Sequence, residues 1–359
     1  MMRTVLLSDI CSYVNSKIQV EQVQLTNYVS TENLLQNKGG LSVANKLPSG
    51  KVTAFQAGDV LVSNIRPYFK KIWLADRSGG ASNDVLVFRK LNDEIYEKYL
   101  YYILADDRFF SFSTASASGS KMPRGDKVQI MNYPVKLPPL DQQKKIANIL
   151  GSLDEKIELN RRMNETLEQL GQALFRHYFV DNPESKNWKK RPLGEFFPVK
   201  TGKKDANFGI KDGKFPFFTC AQTISRAPSY SFDGSAILVA GNGDFNIKYY
   251  TGKFEAYQRT YVLIPHNEEL LGFLYFLMKK DLSLITGGSR GSVIKFITKG
   301  MIENYRVELP NDNDLAVFAP IFSELLALIL HNNEQVYNLI ALRDTLLPQL
   351  MSGKVGQIV

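Results

Sequence analysis

The second half of this chain repeats the first in one register, and that restricts the possible folds more than its composition does. Gly119-Ser120, Ile130, Asn132-Tyr133, Val135 and Leu137-Pro138 recur as Gly291-Ser292, Ile302, Asn304-Tyr305, Val307 and Leu309-Pro310, each 172 positions later. The register holds through Ala147/Ala319, Ile149/Ile321, Leu153/Leu325, Ile157/Ile329, Asn160/Asn332, Leu167/Leu339, Leu170/Leu342 and Leu174/Leu346. Upstream, Gly58-Asp59-Val60-Leu61-Val62 parallels Gly234-Ser235-Ala236-Ile237-Leu238, and Val85-Leu86-Val87-Phe88 parallels Tyr261-Val262-Leu263-Ile264. Leu100-Tyr101-Tyr102-Ile103-Leu104 answers Leu274-Tyr275-Phe276-Leu277-Met278, a buried helix in each copy. The remaining loops have diverged. A shared frame carrying unlike loops is what two readers of two different targets require.

Each copy ends in a long helix. Pro138-Pro139 stops a strand-like run, Asp141 suits a helix N-terminus, and no proline follows until beyond Phe179. Ile146, Leu150, Leu153, Ile157, Leu167 and Leu174 step by threes and fours, as in a coiled-coil seam. The second copy runs Phe318, Phe322, Leu325, Ile329, Val336, Leu339 and Leu346, closed by Pro348 and Gly353. Asn160 and Asn164 interrupt the first seam and Asn332 the second. Antiparallel packing would place Asn164 opposite Asn332, a polar pair that fixes register at a cost in stability. The competing reading leaves these asparagines in solvent at the seam edge. Roughly 38 residues at 1.5 Å each make a rod of about 57 Å. Two heads so spaced suit successive major-groove faces of a duplex, whose turn is about 34–36 Å. The expected helix-pairing residues are Leu153, Ile157, Asn160, Asn164, Leu167, Leu325, Ile329, Asn332 and Leu339.

Charge and cysteine content narrow the class. A formal charge of +8, from 44 Lys+Arg against 36 Asp+Glu, suits a polyanionic partner without demanding one. Cys11 and Cys220 are the two cysteines, too few and too far apart for a disulfide framework or a cysteine zinc site, so a reducing cytoplasm is expected. The apolar run at the N-terminus breaks too early for a signal peptide, and no stretch approaches the length of a membrane span.

Catalytic signatures are missing. There is no Asn/Asp/Ser-Pro-Pro-Tyr/Phe motif for amino methylation and no Gly-x-x-x-x-Gly-Lys-Ser/Thr phosphate loop. His177, His266 and His331 are dispersed. No catalytic residue and no metal ligand is therefore assigned. The alternatives are a stand-alone methyltransferase or nuclease acting on DNA, or a purely structural coiled-coil spacer.

Leu137-Pro138-Pro139-Leu140-Asp141-Gln142-Gln143, Ile146-Ala147-Asn148-Ile149-Leu150 and Leu153-Asp154-Glu155-Lys156-Ile157-Glu158-Leu159-Asn160 resemble the central conserved region of specificity subunits of type I restriction–modification systems. Leu170-Gly171-Gln172-Ala173-Leu174-Phe175 fits its end, and Arg343-Asp344-Thr345-Leu346-Leu347-Pro348-Gln349-Leu350-Met351-Ser352-Gly353 is similar to the family's C-terminal region. The resemblance implies an α+β chain: two pseudo-repeated globular α/β target recognition domains separated by two long antiparallel helices, a coiled coil with pseudo-two-fold symmetry. Residues 1–138 and 182–310 would be the recognition domains, 139–181 the central helix and 311–359 the C-terminal helix. It further implies a sequence-specific, non-catalytic subunit that reads a bipartite site in double-stranded DNA. The helices would set the spacer and dock two modification (methyltransferase) subunits. Those partners would bring S-adenosylmethionine, and restriction subunits would add ATP- and Mg-dependent translocation and cleavage, with no cofactor in this chain. The second copy departs from the pattern: Leu309-Pro310-Asn311-Asp312-Asn313-Asp314 lacks Pro-Pro-Leu-x-x-Gln.

Specificity would lie in the loops. In the first domain Asn64, Arg66, Lys70 and Lys71 follow a strand-like run; in the second, Asn242, Asn246, Lys248 and Arg259 occupy the corresponding region. Asn and Arg can grip base edges in pairs of hydrogen bonds, whereas Lys mainly neutralises phosphate. Before each conserved strand lies a second basic loop, with Ser120, Lys121 and Arg124 in the first copy and Arg290, Ser292 and Lys295 in the second. Against this stands the ordinary reading of exposed Lys and Arg as solvated surface. Lys203-Lys204 and Lys189-Lys190-Arg191 would then be linker charge, and Gly241-Asn242-Gly243-Asp244 a hairpin turn. Tyr99, Tyr101 and Tyr102 read as core.

Overall fold

The computed structural model describes residues 2–119, 121–287 and 296–353. The chain divides into two compact units, Met1–Glu158 with Tyr337–Val359, and Leu159–Val336. This differs from divisions at 138/139, 181/182 and 310/311, which set the helices apart from the heads. The physical reason is that helix residues belong to the head cores. Ile146, Ala147, Leu150, Leu347, Leu350 and Met351 are buried with the first unit's strands, and Phe175, Phe322 and Leu325 with those of the second.

In the first unit, Cys11–Tyr13, Val85–Lys90, Val60–Ser63 and Ile72–Leu74 form a four-stranded antiparallel sheet, in that order. A second sheet orders Lys17–Gln19, Lys51–Phe55, Gly79–Ala81 and Tyr28–Val29. Helices Glu97–Ala105 and Asp107–Ala115 complete the globular part, burying Tyr99 and Tyr102 as core residues. In the second unit a six-stranded sheet is built on the hairpin Phe232–Ala240/Ile247–Ala256 and backed by helix Leu271–Gly287.

The repeat is clearest in one ribbon. Arg3–Leu6 pairs antiparallel with Pro134–Leu137, and Lys189–Pro192 pairs in the same sense with Arg306–Leu309. Both conserved strands alternate exposed and buried, so Val135 and Leu137 turn inward as Val307 and Leu309 do. Lys189-Lys190-Arg191 is therefore strand and not linker. Lys190 pairs with Glu308, and Arg191 with Glu195 and Asp312.

The long helices are Leu140–Phe175, continued by a π-helical turn Arg176–Val180, and Asp312–Met351. Their starts solve the same problem with different chemistry. Gln143, fully buried, donates to the carbonyls of Glu94 (2.8 Å) and Pro138 (2.9 Å) and accepts from the Tyr96 amide (2.9 Å). The repeat puts Leu315 there, buried in core. The second helix is capped instead by Asn311, whose Oδ1 accepts from the Asp314 amide at 3.0 Å while its Nδ2 donates to Asp314 Oδ2 at 2.9 Å. Pro348 does not close this helix, which continues to Met351. Within the last turn a missing N–H forfeits only one intrahelical bond, and the Ser352 amide still reaches the Pro348 carbonyl at 3.1 Å. Gly353, with φ 74°, follows.

The helices pair antiparallel. In the second unit Asn332 Nδ2 donates to Asn164 Oδ1 at 2.9 Å, and Asn164 Nδ2 to Asn333 Oδ1 at 2.9 Å. Asn160, fully buried, donates to Gln335 Oε1 at 3.0 Å, and Phe175 meets Phe322 further along. Asn160 and Asn332 thus sit inside the seam and not in solvent. Ile157, Leu325 and Ile329 are buried, while Leu153, Leu167 and Leu339 are half-buried. Gly171 allows close approach: a Cβ there would stand 2.2 Å from the Phe276 ring. In the first unit the two helices are joined by a charged pair as well, Arg343 Nη1 donating to Asp154 Oδ1 at 2.8 Å. The second helix is apolar enough, with a window of mean hydropathy 1.7, to cross a membrane by length and composition. Leu315, Ala319, Phe322, Leu325, Leu326 and Ile329 from this helix lie in the second unit's core.

Candidate nucleic-acid interface

In the first unit the sheet strand Val60–Ser63 delivers the loop 64–71 to one edge. There it meets the second basic loop directly. Ile65 and Arg124 form a β-bridge, the Arg66 amide donates to the Pro123 carbonyl at 2.8 Å, and the Gly125 amide to that of Asn64 at 3.3 Å. Two segments that are remote in sequence thus form one platform. Lys121 and Arg124 are exposed on it, with Arg124 Nη2 3.1 Å from Asp84.

Other sequence candidates are less free than expected. Asn64 is buried, and its Oδ1 has no hydrogen-bond partner. Arg66 adopts a left-handed backbone (φ 50°), donates from Nη2 to the Lys121 carbonyl at 3.2 Å, and lies over the Phe69 ring. Lys70 pairs with Asp107 at 2.6 Å. Lys71 donates to the Thr31 carbonyl, and burial pushes its pKa down. A lysine so placed, half-buried, also ties the loop to the segment carrying Thr31.

The second unit reproduces the arrangement. Asn242 forms a β-bridge with Phe296, and the Ile297 amide donates to the Gly241 carbonyl at 3.0 Å. Residues 241–246 are the hairpin connection between Phe232–Ala240 and Ile247–Ala256, with Gly243 at φ 73°. Being a hairpin turn and lining the platform are thus compatible. Asn246 Nδ2 bonds the Cys220 and Asp244 carbonyls at 3.0 and 2.9 Å. Lys248 Nζ donates to the Ala221 carbonyl at 2.7 Å and to Asn246, and burial lowers its pKa. Both are half-buried and tie the loop to neighbouring backbone. Arg259 is exposed, its carbonyl accepting from the Gly241 amide at 2.8 Å and from Cys220 Sγ at 3.3 Å. Ser120, Arg290, Ser292 and Lys295 lie outside the described residues.

Sequence reasoning missed residues on this edge. Lys203-Lys204, read as linker charge, belongs to it: Lys204 bridges Tyr257, stacks its ammonium over Phe208 at 4.6 Å, and accepts at its carbonyl from the Gln258 amide. Gly202 before it permits this approach, since a Cβ would lie 1.9 Å from the Ala256 carbonyl. Gln222, bonded to Asp244 at 2.9 Å, left no signal in the sequence. Among the described residues, no three His, Cys, Asp or Glu side chains are grouped to hold a metal ion.

Comparison with known proteins meets this geometry with a doubled match. The profile of the type I restriction modification DNA specificity domain fits residues 2–169 and again 185–341. The chain belongs to the type I restriction–modification DNA specificity family. Among its relatives, the type I restriction enzyme EcoDI specificity subunit of Escherichia coli is 48% identical over 141 residues. That match spans 39% of this chain and 32% of that protein's length. The MjaIX specificity subunit of Methanocaldococcus jannaschii is 23% identical over 304 residues, 73% of this chain and 70% of that protein. The crystal structure of the S subunit from M. genitalium superimposes with a TM-score of 0.60 at 18% identity, covering 98% of this chain and 96% of that one. That likeness concerns the fold. With it, the two-domain, two-helix α+β reading of this family member stands.

Proposed function

We propose that this chain is the DNA-reading, non-catalytic subunit of a type I restriction–modification complex, each unit recognising one half of a split duplex site. The observation that carries this is the recurrence of one platform in both units, with the Ile65–Arg124 and Asn242–Phe296 bridges made by loops of unlike sequence. One frame displaying two sets of side chains suits two different half-sites. On this reading Lys121, Arg124, Lys203 and Arg259, exposed on those edges, face phosphate or base edges, and Asn64, Arg66, Lys70, Asn242, Asn246 and Lys248 shape the loops beneath. Contact with DNA is proposed also for Ser120, Arg290, Ser292 and Lys295.

The paired helices set the distance between half-sites and receive two modification subunits. Leu170 and Leu342, equivalent in the repeat and each nearly half exposed, suit two equivalent partners. Adenine methylation with S-adenosylmethionine belongs to those partners, and ATP- and Mg-dependent cleavage to restriction subunits. A stand-alone enzyme or an inert spacer gains no support from a doubled specificity domain. The test is to exchange residues 1–138 for those of a relative and sequence the methylated motif in a host carrying the modification partner. One half-site should change. A change in both halves, or in neither, contradicts the proposal.

A further inference from the structure

The described chain holds four non-glycine residues at positive φ, namely Asn37 (55°), Lys38 (60°), Arg66 (50°) and Lys70 (51°), and all four lie in two touching loops of the first unit. The Asn37 amide donates to the Phe69 carbonyl and the Lys38 amide to that of Lys70, both at 2.9 Å. Left-handed backbone at such residues is unfavourable and persists where surroundings over-determine it. Something must therefore hold this loop pair in place.

The Lys38 side chain, 5% exposed, is placed to do so. Its ammonium bridges Asp107 Oδ1 and Asp344 Oδ1, each at 3.2 Å. Asp107 opens helix Asp107–Ala115 and also takes Lys70 at 2.6 Å. Asp344, on the second long helix, accepts from Arg343 Nη2 at 2.9 Å. Arg343, equally buried, reaches Asp154 of the first long helix at 2.8 Å, and Asp154 accepts from Tyr102 Oη at 2.8 Å. A continuous run of charge-assisted bonds thus joins the recognition loop to both helices. A buried ammonium is tolerated only while both carboxylates stay in place, so the bridge fixes distance and orientation as well as charge.

We infer that Lys38 is a positioning residue: it locks the 64–71 loop to the helix pair and so sets where the first half-site is read. It need not touch DNA. The inference rests on the functional reading above and adds a residue that sequence analysis did not single out.

The test uses the full chain assembled with its modification partner. Selection from randomised duplexes with Lys38→Met should lower discrimination at the first unit's half-site by about tenfold, the size of one mismatched base pair, with the other half-site unchanged. Lys38→Arg, which keeps two charge-assisted bonds, should retain wild-type discrimination. Amide exchange over residues 66–71 should accelerate in Lys38→Met alone. If Lys38→Met does not fold, Asp344→Asn carries the same expectations. Wild-type discrimination and exchange in a folded Lys38→Met protein would overturn the inference, as would equal loss at both half-sites. Were the wild type itself to select no split sequence, the functional reading would fall and the DNA role with it. The exchange measurement would still decide whether Lys38 holds the loop.

Discussion

Alanine replacement of Asn164 and Asn332, singly and together, isolates the bond at the centre of the second unit's helix pair. Asn332 is 5% exposed and donates to Asn164 Oδ1 at 2.9 Å. Either single change removes that same bond, so its energy is lost once in each single and once in the double. Each single should therefore cost about 1–3 kcal/mol, comprising that bond, an orphaned polar atom and a small cavity, and Asn164→Ala also gives up the Asn164 Nδ2 bonds to Asn333 Oδ1 and the Ile329 carbonyl. The coupling energy should be about 1 kcal/mol. Asn164→Ala strands the Nδ2 of Asn332, which is buried, whereas Asn332→Ala strands an oxygen on half-buried Asn164 that water can reach. The first should thus be the more damaging orphan. Replacing both by leucine removes the polar requirement altogether and should be neutral or stabilising, at the expense of register. Urea unfolding of the full chain, followed by circular dichroism, supplies all the free energies. Coupling below about 0.3 kcal/mol, the additivity expected of independent sites, would refute the reasoning. So would a double-leucine protein less stable than either alanine single.

Three other outcomes follow from the same coordinates. Deleting one heptad from each long helix in matching register should shorten each helix by about 10 Å and the preferred spacer by roughly three base pairs at about 3.4 Å each; motif sequencing that shows an unaltered spacer would contradict the proposal that the helices set it. Burial pushes the Cys11 thiol pKa up to about 12, so native iodoacetamide labelling, read by mass spectrometry, should modify Cys220 and spare Cys11. Because Cys220 sits beneath Arg259 and Asn246, duplex containing the target should slow its modification, and an unchanged rate would place DNA elsewhere. Burial tends to raise the Asp107 pKa, but the Lys70 and Lys38 ammoniums outweigh it and hold the carboxyl below its usual value. Its stabilising contribution is then present above the ordinary carboxylate range and lost as pH falls through the lowered value. Asp107→Asn should make acid unfolding shallower there, as followed by fluorescence.

Much of the architecture could be read from the sequence because it is periodic. Val135 and Leu137 recur as Val307 and Leu309, and alternation of this kind states which face of a strand is buried before any coordinate exists. The spacing of Ile157, Leu325 and Ile329 likewise defines a helix stripe, and asparagines at matched places in two stripes announce their pairing. Repetition converts such local signals into topology, since whatever one copy forms the other must also form.

Loop contacts follow no such rule. Nothing local to Lys71, Lys248 or Asn246 shows that a carbonyl stands within reach, and a lysine that braces a loop reads the same as one left for phosphate. Lys38 is more extreme: its partners stand 69 and 306 residues away. The helix starts show both sides. Sequence alone revealed that Pro139-Leu140 and Gln143 had no counterpart after Leu309-Pro310, but only packing showed Leu315 taking the core position of Gln143 while Asn311 and Asp314 cap the helix. Periodic burial is encoded by neighbours along the chain and survives without coordinates. Hydrogen-bond partners drawn from distant segments exist only once the chain has closed on itself, and that closure brings separate basic stretches together on one edge of each unit.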